Sequence, residues 1–380
     1  MIAKPERVFI NASTSNSALG KQQYLPSSMF SSTKNGGIQR CSAPVGDHQV
    51  LYYAMQEQPS LNKTFEKMMG LLIEQVDLLL AQTALTPKQL NKTMLFIGST
   101  SLDIGCIKPD SSQAIWLSQT DKIGQLLAEH YALHSLHFTF NTACTSGANA
   151  LLYATNFIKQ GKIDNVIVIG FEFFNRLSLN GFDSLDLISK TSVKPFSATR
   201  DGLILGEGIG AVLLSKHCTE HTQLEILGGY SSCDDHSLTI TEEEGTHIVE
   251  VIKQALQNAS IVQNDVDLIK VHGTASIKSD LAECNALNKL FTQLPKSYGF
   301  KSLIGHTLGA CGVIELALFD HCIRHAYLPQ LTYQEDKSAP LLLPFIESAA
   351  ELIQSKIMLF NHFGFGGNNA ALIVKKVEPS

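Results

Sequence analysis

Leu136-His137-Phe138-Thr139-Phe140 runs into Asn141-Thr142-Ala143-Cys144-Thr145-Ser146-Gly147-Ala148-Asn149-Ala150, and the reading of this stretch decides the fold. Its first five residues have the length and composition of a short strand. A turn of small polar residues follows, and then a helix built from small residues. A strand that feeds a helix through a tight bend is one unit of a layered α/β architecture. A cysteine at such a bend lies near a helix N-terminus, where free N–H groups and the helix dipole favour the thiolate. Cys144 is therefore a candidate nucleophile. A lone cysteine is more often a small buried core residue, so the rest of the chain has to decide between the two.

Further short apolar runs suit buried strands: Arg7–Ile10, Met94–Ile97, Asn165–Ile169, Gly210–Leu214, Asp267–Val271 and Lys356–Phe360. Between them, Phe65 to Ala81 places Phe65, Met68, Met69, Leu72, Ile73, Val76, Leu79 and Leu80 at helical spacing. Thr246 to Asn258 and Asp280 to Phe291 show the same pattern. Strands alternating with helices predict an α/β fold with layered sheets. The Ser-, Asn- and Gly-rich stretch from Ser13 to Gly46 reads as irregular surface. Leu227-Gly228-Gly229 marks a midpoint between two halves, 1–227 and 228–380. Glu242-Glu243-Glu244 reads as a helix N-terminus or a solvated face.

The chain of 380 residues is 44% hydrophobic and 17% charged, with a formal net charge of -6 and no long run of one sign. That composition is globular and lacks the basic face of a nucleic-acid binder. No run approaches the roughly 20 apolar residues that span a bilayer. The N-terminus meets Lys4, Pro5, Glu6 and Arg7 before any apolar stretch, unlike a secretory leader. Eight cysteines form no CxxC pair, so neither a disulfide framework nor a metal site is expected, and the expected setting is the reducing cytoplasm.

Three more segments accompany Cys144. Val271-His272-Gly273-Thr274 takes a histidine out of a strand into a glycine turn. Lys301-Ser302-Leu303-Ile304-Gly305-His306-Thr307-Leu308-Gly309-Ala310 sets a second histidine before small residues that permit close backbone packing. Asn361-His362-Phe363-Gly364-Phe365-Gly366-Gly367-Asn368-Asn369 is a glycine-rich turn that lets backbone approach a ligand. Taken singly, each histidine is more often a core or surface residue; their joint occurrence calls for another reading.

Together these motifs resemble the β-ketoacyl-acyl carrier protein synthases of the thiolase superfamily. Lys194-Pro195-Phe196-Ser197, Arg200-Asp201-Gly202 and Gly206-Glu207-Gly208 resemble the family's segment between the cysteine and the first histidine, and the likeness runs from about Phe96 to Lys375. It implies a five-layer αβαβα fold with two pseudo-equivalent halves, and an acyltransferase in which Cys144 takes an acyl group from a carrier thioester. Malonyl thioester would then lose CO2 to supply a carbanion. By the same resemblance, His272 and His306 hold the malonyl carbonyl, and the backbone N–H groups of Cys144 and Phe363 form an oxyanion hole, with Phe363 as gatekeeper of an acyl tunnel. Lys301 matches the family's active-site lysine, with Glu283, Glu315 and Asp280 as acidic neighbours and Glu283 as its expected ion-pair partner. Thr274 and Ser276 match hydroxyl positions that bind the phosphopantetheine arm. Lys63 and Lys67 resemble a docking patch for the acyl carrier protein, although a solvated helix face explains them equally well.

No cofactor is expected, since the substrates ride on phosphopantetheine. The resemblance implies a homodimer, or a heterodimer with a chain-length-factor-like ketosynthase. The short N-terminal third points toward a specialised pathway such as polyketide or aryl polyene synthesis. Cys144 with both histidines argues against the chain being itself a chain-length-factor-like subunit. Asn361-His362-Phe363-Gly364, where a thiolase carries its second cysteine, and His306, where CoA-primed synthases carry asparagine, argue against those two classes. A cysteine hydrolase would not need the second histidine or the glycine-rich turn.

Overall fold

The computed structural model describes residues 5–25, 38–55, 61–106, 121–237, 239, 241–331, 333 and 342–378. The first half comprises β1 (Phe9–Ser17), β2 (Gly20–Lys21), β3 (Arg40–Val45), β4 (His48–Tyr53), α1 (Phe65–Leu80), α2 (Pro87–Leu90), β5 (Met94–Gly98), α3 (Lys122–His130), β6 (His137–Phe140), α4 (Ser146–Lys159), β7 (Asn165–Glu172), α5 (Arg176–Ser184) and β8 (Gly208–Ser215). The second comprises β9 (Leu224–Cys233), α6 (Thr246–Ala259), β10 (Leu268–Lys270), α7 (Ile277–Leu290), β11 (Lys296–Tyr298), α8 (Lys301–Ile304), α9 (Cys311–Arg324), α10 (Ala349–Gln354), β12 (Ile357–Phe363) and β13 (Asn368–Lys376).

The strands run in the order β6-β5-β7-β8-β1-β9-β13-β12-β10-β11. The seam between halves is β1 against β9, paired where Phe9 faces Glu225 and Ile10 faces Leu224. Outward from the seam, the two sides repeat one another. β1/β8 and β8/β7 are antiparallel, then β7/β5 and β5/β6 parallel. β9/β13 and β13/β12 are antiparallel, then β12/β10 and β10/β11 parallel. This repetition has no counterpart in the sequence, which shows no internal repeat.

Every residue of β5, β7, β8 and β12 is buried, as strands covered on both faces must be. The covering helices make the layers. α1 packs on β1 and β8, and α3 on β5 and β6, on one outer face; α6 packs on β9 and β13, with α7 beside it, on the other. α4 and α9 lie between the half-sheets, α4 touching β5, β6 and β7 on one side and β9 and β13 on the other. These are the five layers of a thiolase-like fold. Central helices must come close, and glycine allows it: a Cβ on Gly312 of α9 would lie 2.4 Å from the backbone nitrogen of Ala148 on α4.

Two sequence expectations need correction. Ser13 to Gly46 is not irregular throughout, because β1 continues to Ser17 and β3 begins at Arg40; residues 26–37 lie outside those described. Two serines of β1 are buried with partners: Ser13 Oγ donates to Asp320 Oδ2 at 2.6 Å and Ser15 Oγ to Gln22 Oε1 at 2.9 Å. A polar strand of this kind escapes a search for apolar runs. Leu227-Gly228-Gly229 lies inside β9, and the connection between the halves is the preceding segment, residues 216–223. The acidic Glu242 does stand at a helix start, accepting the N–H of Thr246 at 2.9 Å.

Candidate active site

β6 delivers the chain to the bend before α4, where Ala143 adopts φ 51° and Cys144 is buried in the turn. His306 comes from the second half. Its backbone is locked between two strand-like bonds, donating to the Ile204 carbonyl at 2.7 Å and accepting from Gly206 N–H at 3.0 Å. So placed, His306 Nε2 lies 3.1 Å from Cys144 Sγ. His272 leaves the end of β10, and its ring centroid is 5.5 Å from that of His306 at 86°. All three line a cavity of about 340 Å³ with Thr274, Ser276, Phe363, Gly364 and Phe365.

The electrostatics follow from burial. Desolvation pushes the Cys144 thiol up to about 12, reinforced by Cys311 and opposed by Lys301 and by the backbone N–H of Phe365. This direction is opposite to the thiolate expected of a cysteine near a helix N-terminus, because burial disfavours the charged form. His272 and His306 are both held well below 6.5, by desolvation first and by the charge of Lys301 next. Two neutral imidazoles beside a thiol can accept a proton from sulfur and donate N–H groups to an oxygen.

α7 grips the loop that carries His272. Glu283 accepts the backbone N–H groups of His272 at 2.9 Å and Gly273 at 3.0 Å, and the Asn361 amide at 3.0 Å. Asp280, one turn earlier, accepts those of Phe196 at 2.7 Å and Ala275 at 3.1 Å. Burial pushes its carboxyl up to about 7. Glu283 is thus not the partner of Lys301, as had been expected. Lys301 Nζ pairs with Glu315 Oε1 at 2.8 Å, because the helical turn from Cys311 brings Glu315 under α8 while Glu283 is taken by backbone donors.

Phe363 also departs from its expected role. It ends β12, buried, with its ring 5.6 Å from that of His272. The backbone N–H directed at Cys144 sulfur is that of Phe365, whose side chain stacks on Phe182 at 5.1 Å. Gly364 between them sits so close that a Cβ there would lie 3.0 Å from the Cys144 nitrogen. The motif contains two phenylalanines two residues apart, and only the turn after β12 tells which one meets the cysteine.

Lys63 is no surface docking residue. It is buried and pairs with the buried Glu207 at 2.6 Å, while Glu207 also accepts the N–H groups of Met55 and Phe174. Lys67, on the outer face of α1, is exposed. Sequence reasoning missed Cys311, His362, Lys270 and Glu172. The available signal was Lys270 itself, a lysine inside an apolar strand run, which demands a buried counter-charge. Glu172 ends β7, buried, accepting N–H from Thr100 and with its Oε2 unpartnered; burial pushes its carboxyl up to about 7.

Comparison with known proteins places the chain in a family. The model of the beta-ketoacyl synthase N-terminal domain matches residues 53–219, and that of the beta-ketoacyl synthase C-terminal domain matches residues 224–334. A putative mitochondrial 3-oxoacyl-[acyl-carrier-protein] synthase of Schizosaccharomyces pombe is 31% identical over 271 residues, 66% of this chain and 64% of that protein. The 3-oxoacyl-[acyl-carrier-protein] synthase 2 of Rhizobium meliloti is 30% identical over 271 residues, 67% and 63% respectively. The matched region thus spans less than two thirds of each relative's length. Among solved structures, a chain of the ketosynthase–chain length factor complex of Xenorhabdus doucetiae superposes with a TM-score of 0.79 at 24% identity, over 99% of this chain and 100% of that one. A β-ketoacyl synthase of Burkholderia phymatum gives 0.80 at 23%, over 98% and 100%. At these identities the structures speak for a shared fold.

Proposed function

The chain belongs to the β-ketoacyl synthase family, and on that footing we propose that it extends acyl groups by decarboxylative condensation with malonyl carrier protein, in fatty acid or polyketide synthesis. The observation that carries the reading is the 3.1 Å approach of His306 Nε2 to Cys144 Sγ beside a second neutral imidazole in one cavity.

Cys144 sulfur attacks the carbonyl carbon of an acyl thioester while its proton passes to His306. The tetrahedral oxyanion lies against the backbone N–H groups of Cys144 and Phe365. Its collapse breaks the carbon–sulfur bond to the pantetheine thiol, which leaves with a proton. Malonyl thioester then enters along Thr274 and Ser276. Its carboxylate departs as CO2, and the electron pair of the broken bond becomes an enolate. The enolate oxygen accepts N–H bonds from His272 and His306, which must be neutral in the resting enzyme to serve both substrates. The enolate carbon attacks the acyl-Cys144 carbonyl, a carbon–carbon bond forms, and Cys144 sulfur is released and reprotonated.

The partners follow from this reading. An acyl carrier protein presents both thioesters. A second ketosynthase-like subunit, identical or a chain length factor, fits the edge of β6, which is unpaired among the described residues and where Leu136, Phe138 and Tyr153 are exposed. The rival assignment, a subunit without its own condensing role, is disfavoured by the thiol and two imidazoles meeting in one cavity. Among the described residues no helix is long and apolar enough to cross a membrane.

The test incubates purified protein with malonyl and acyl carrier proteins. It follows CO2 release and the product mass. A β-ketoacyl carrier two carbons longer is expected. Acylated Cys144 with no CO2 and no longer product, in the presence of each candidate second subunit, would sink the reading.

A further inference from the structure

Lys270 lies in β10 with its whole side chain buried. Burial lowers its basicity, and Glu315 counters that shift. Its Nζ meets Glu315 Oε2 at 2.6 Å, the Asn361 carbonyl at 2.7 Å and His362 Nδ1 at 3.3 Å. Cys311 Sγ lies 3.6 Å from the same His362 nitrogen. The thiol, carboxylate and imidazole atoms of Cys311, Glu315 and His362 all fall within 4.8 Å of one another, and all three residues are buried.

A thiolate, an imidazole and a carboxylate converging with a carbonyl are the donor set of a first-row divalent ion. Here, three of these donor groups converge on an ammonium. We propose that the Lys270 side chain is the resident cation of this cage, seated where a zinc- or cobalt-like ion would otherwise bind, so that the chain carries covalently a charge that a metal could supply. With Lys301 on its other oxygen, Glu315 serves two ammonium groups, one positive charge in excess of one carboxylate. That excess faces His306 and His362, and it is among the causes that keep both imidazoles neutral.

Removing the side chain should open the seat. Lys270→Ala still leaves Glu315 paired with Lys301, so the cage keeps a balanced ion pair. Titration with cobalt(II) chloride, followed by absorption, is expected to show one equivalent bound to Lys270→Ala with a thiolate-to-cobalt charge-transfer band. The band should be lost when Cys311→Ser is added. Wild type should show no such band. Lys270→Met, which refills the space without charge, should show none either. If Lys270→Ala is soluble only when expressed with cobalt, the band is read on that material. A band of equal strength in wild type, a band that survives Cys311→Ser, or Lys270→Ala that shows no band or stays insoluble with cobalt overturns the proposal. None of these readings depends on condensing activity.

Discussion

Cys144 Sγ and His306 Nε2 face each other at 3.1 Å, the sulfur contributed by the first half of the chain and the imidazole by the second. Neither half holds a reactive pair alone. Folding the two half-sheets around α4 and α9 creates it, and the first two predictions follow from that contact.

Cys144→Ala should lose acyl loading, seen as the absence of the mass increment on intact protein, and lower condensation by roughly 10⁴-fold or more. Cys144→Gln places an amide where the thioester would be, and is expected to keep releasing CO2 from malonyl carrier. Acyl transfer persisting in the alanine variant contradicts the assignment of the nucleophile.

With its thiol pushed up to about 12, Cys144 would, on the proposed mechanism, pass its proton to His306. His306→Ala is expected to slow alkylation of Cys144 by iodoacetamide at pH 7 by on the order of 10²-fold. His272 and His306 are held below 6.5, so they gain protons, and activity falls, only as pH drops through those lowered values. Wild-type condensation should therefore be on its plateau at pH 6.5. An acid limb centred above 6.5 would be incompatible with two neutral imidazoles.

Glu172 titrates near 7 in the fold and near 4.3 in an unfolded chain. The folded state therefore holds its proton over that interval, and stability falls as pH rises from about 4.3 to 7. Glu172→Gln keeps an oxygen to accept the Thr100 N–H and removes the charge. It should raise stability by up to about 3 kcal/mol at pH 8 and much less near pH 4.5. Thermal melts at the two pH values check this; equal effects at both would refute the buried-acid explanation.

Lys63→Ala leaves the buried Glu207 without its 2.6 Å partner and should cost about 3–5 kcal/mol in denaturant unfolding. Lys67→Ala removes an exposed charge and should leave stability within about 0.5 kcal/mol. A Lys63→Ala variant of wild-type stability that binds carrier protein more weakly would restore the docking role this position was first given.

Much of the site was legible in the chain. Cys144, both histidines, Lys301 and the glycine-rich turn each stand beside a strand end or a tight bend, where local pattern marks them. Strands β5, β7, β8, β10 and β12 announced themselves as apolar runs. β1 did not declare its length, because Ser13 and its neighbours satisfy their hydroxyls with Asp320 and Gln22, residues close in space and not all close in sequence. Lys63 and Lys67 look alike in the chain, and only the position of Glu207, across the fold, separates a core ion pair from a surface charge.

The sequence by itself determined which side chains could do chemistry, and the layered α/β character of the fold, because residue type and periodicity act over short distances. Only the tertiary structure decided their pairings: Glu315 rather than Glu283 for Lys301, Phe365 rather than Phe363 against Cys144, and an ammonium lodged among Glu315, His362 and the Asn361 carbonyl. Those choices rest on hydrogen bonds and desolvation between segments far apart in the chain. They come into being when the two halves close on their shared helices.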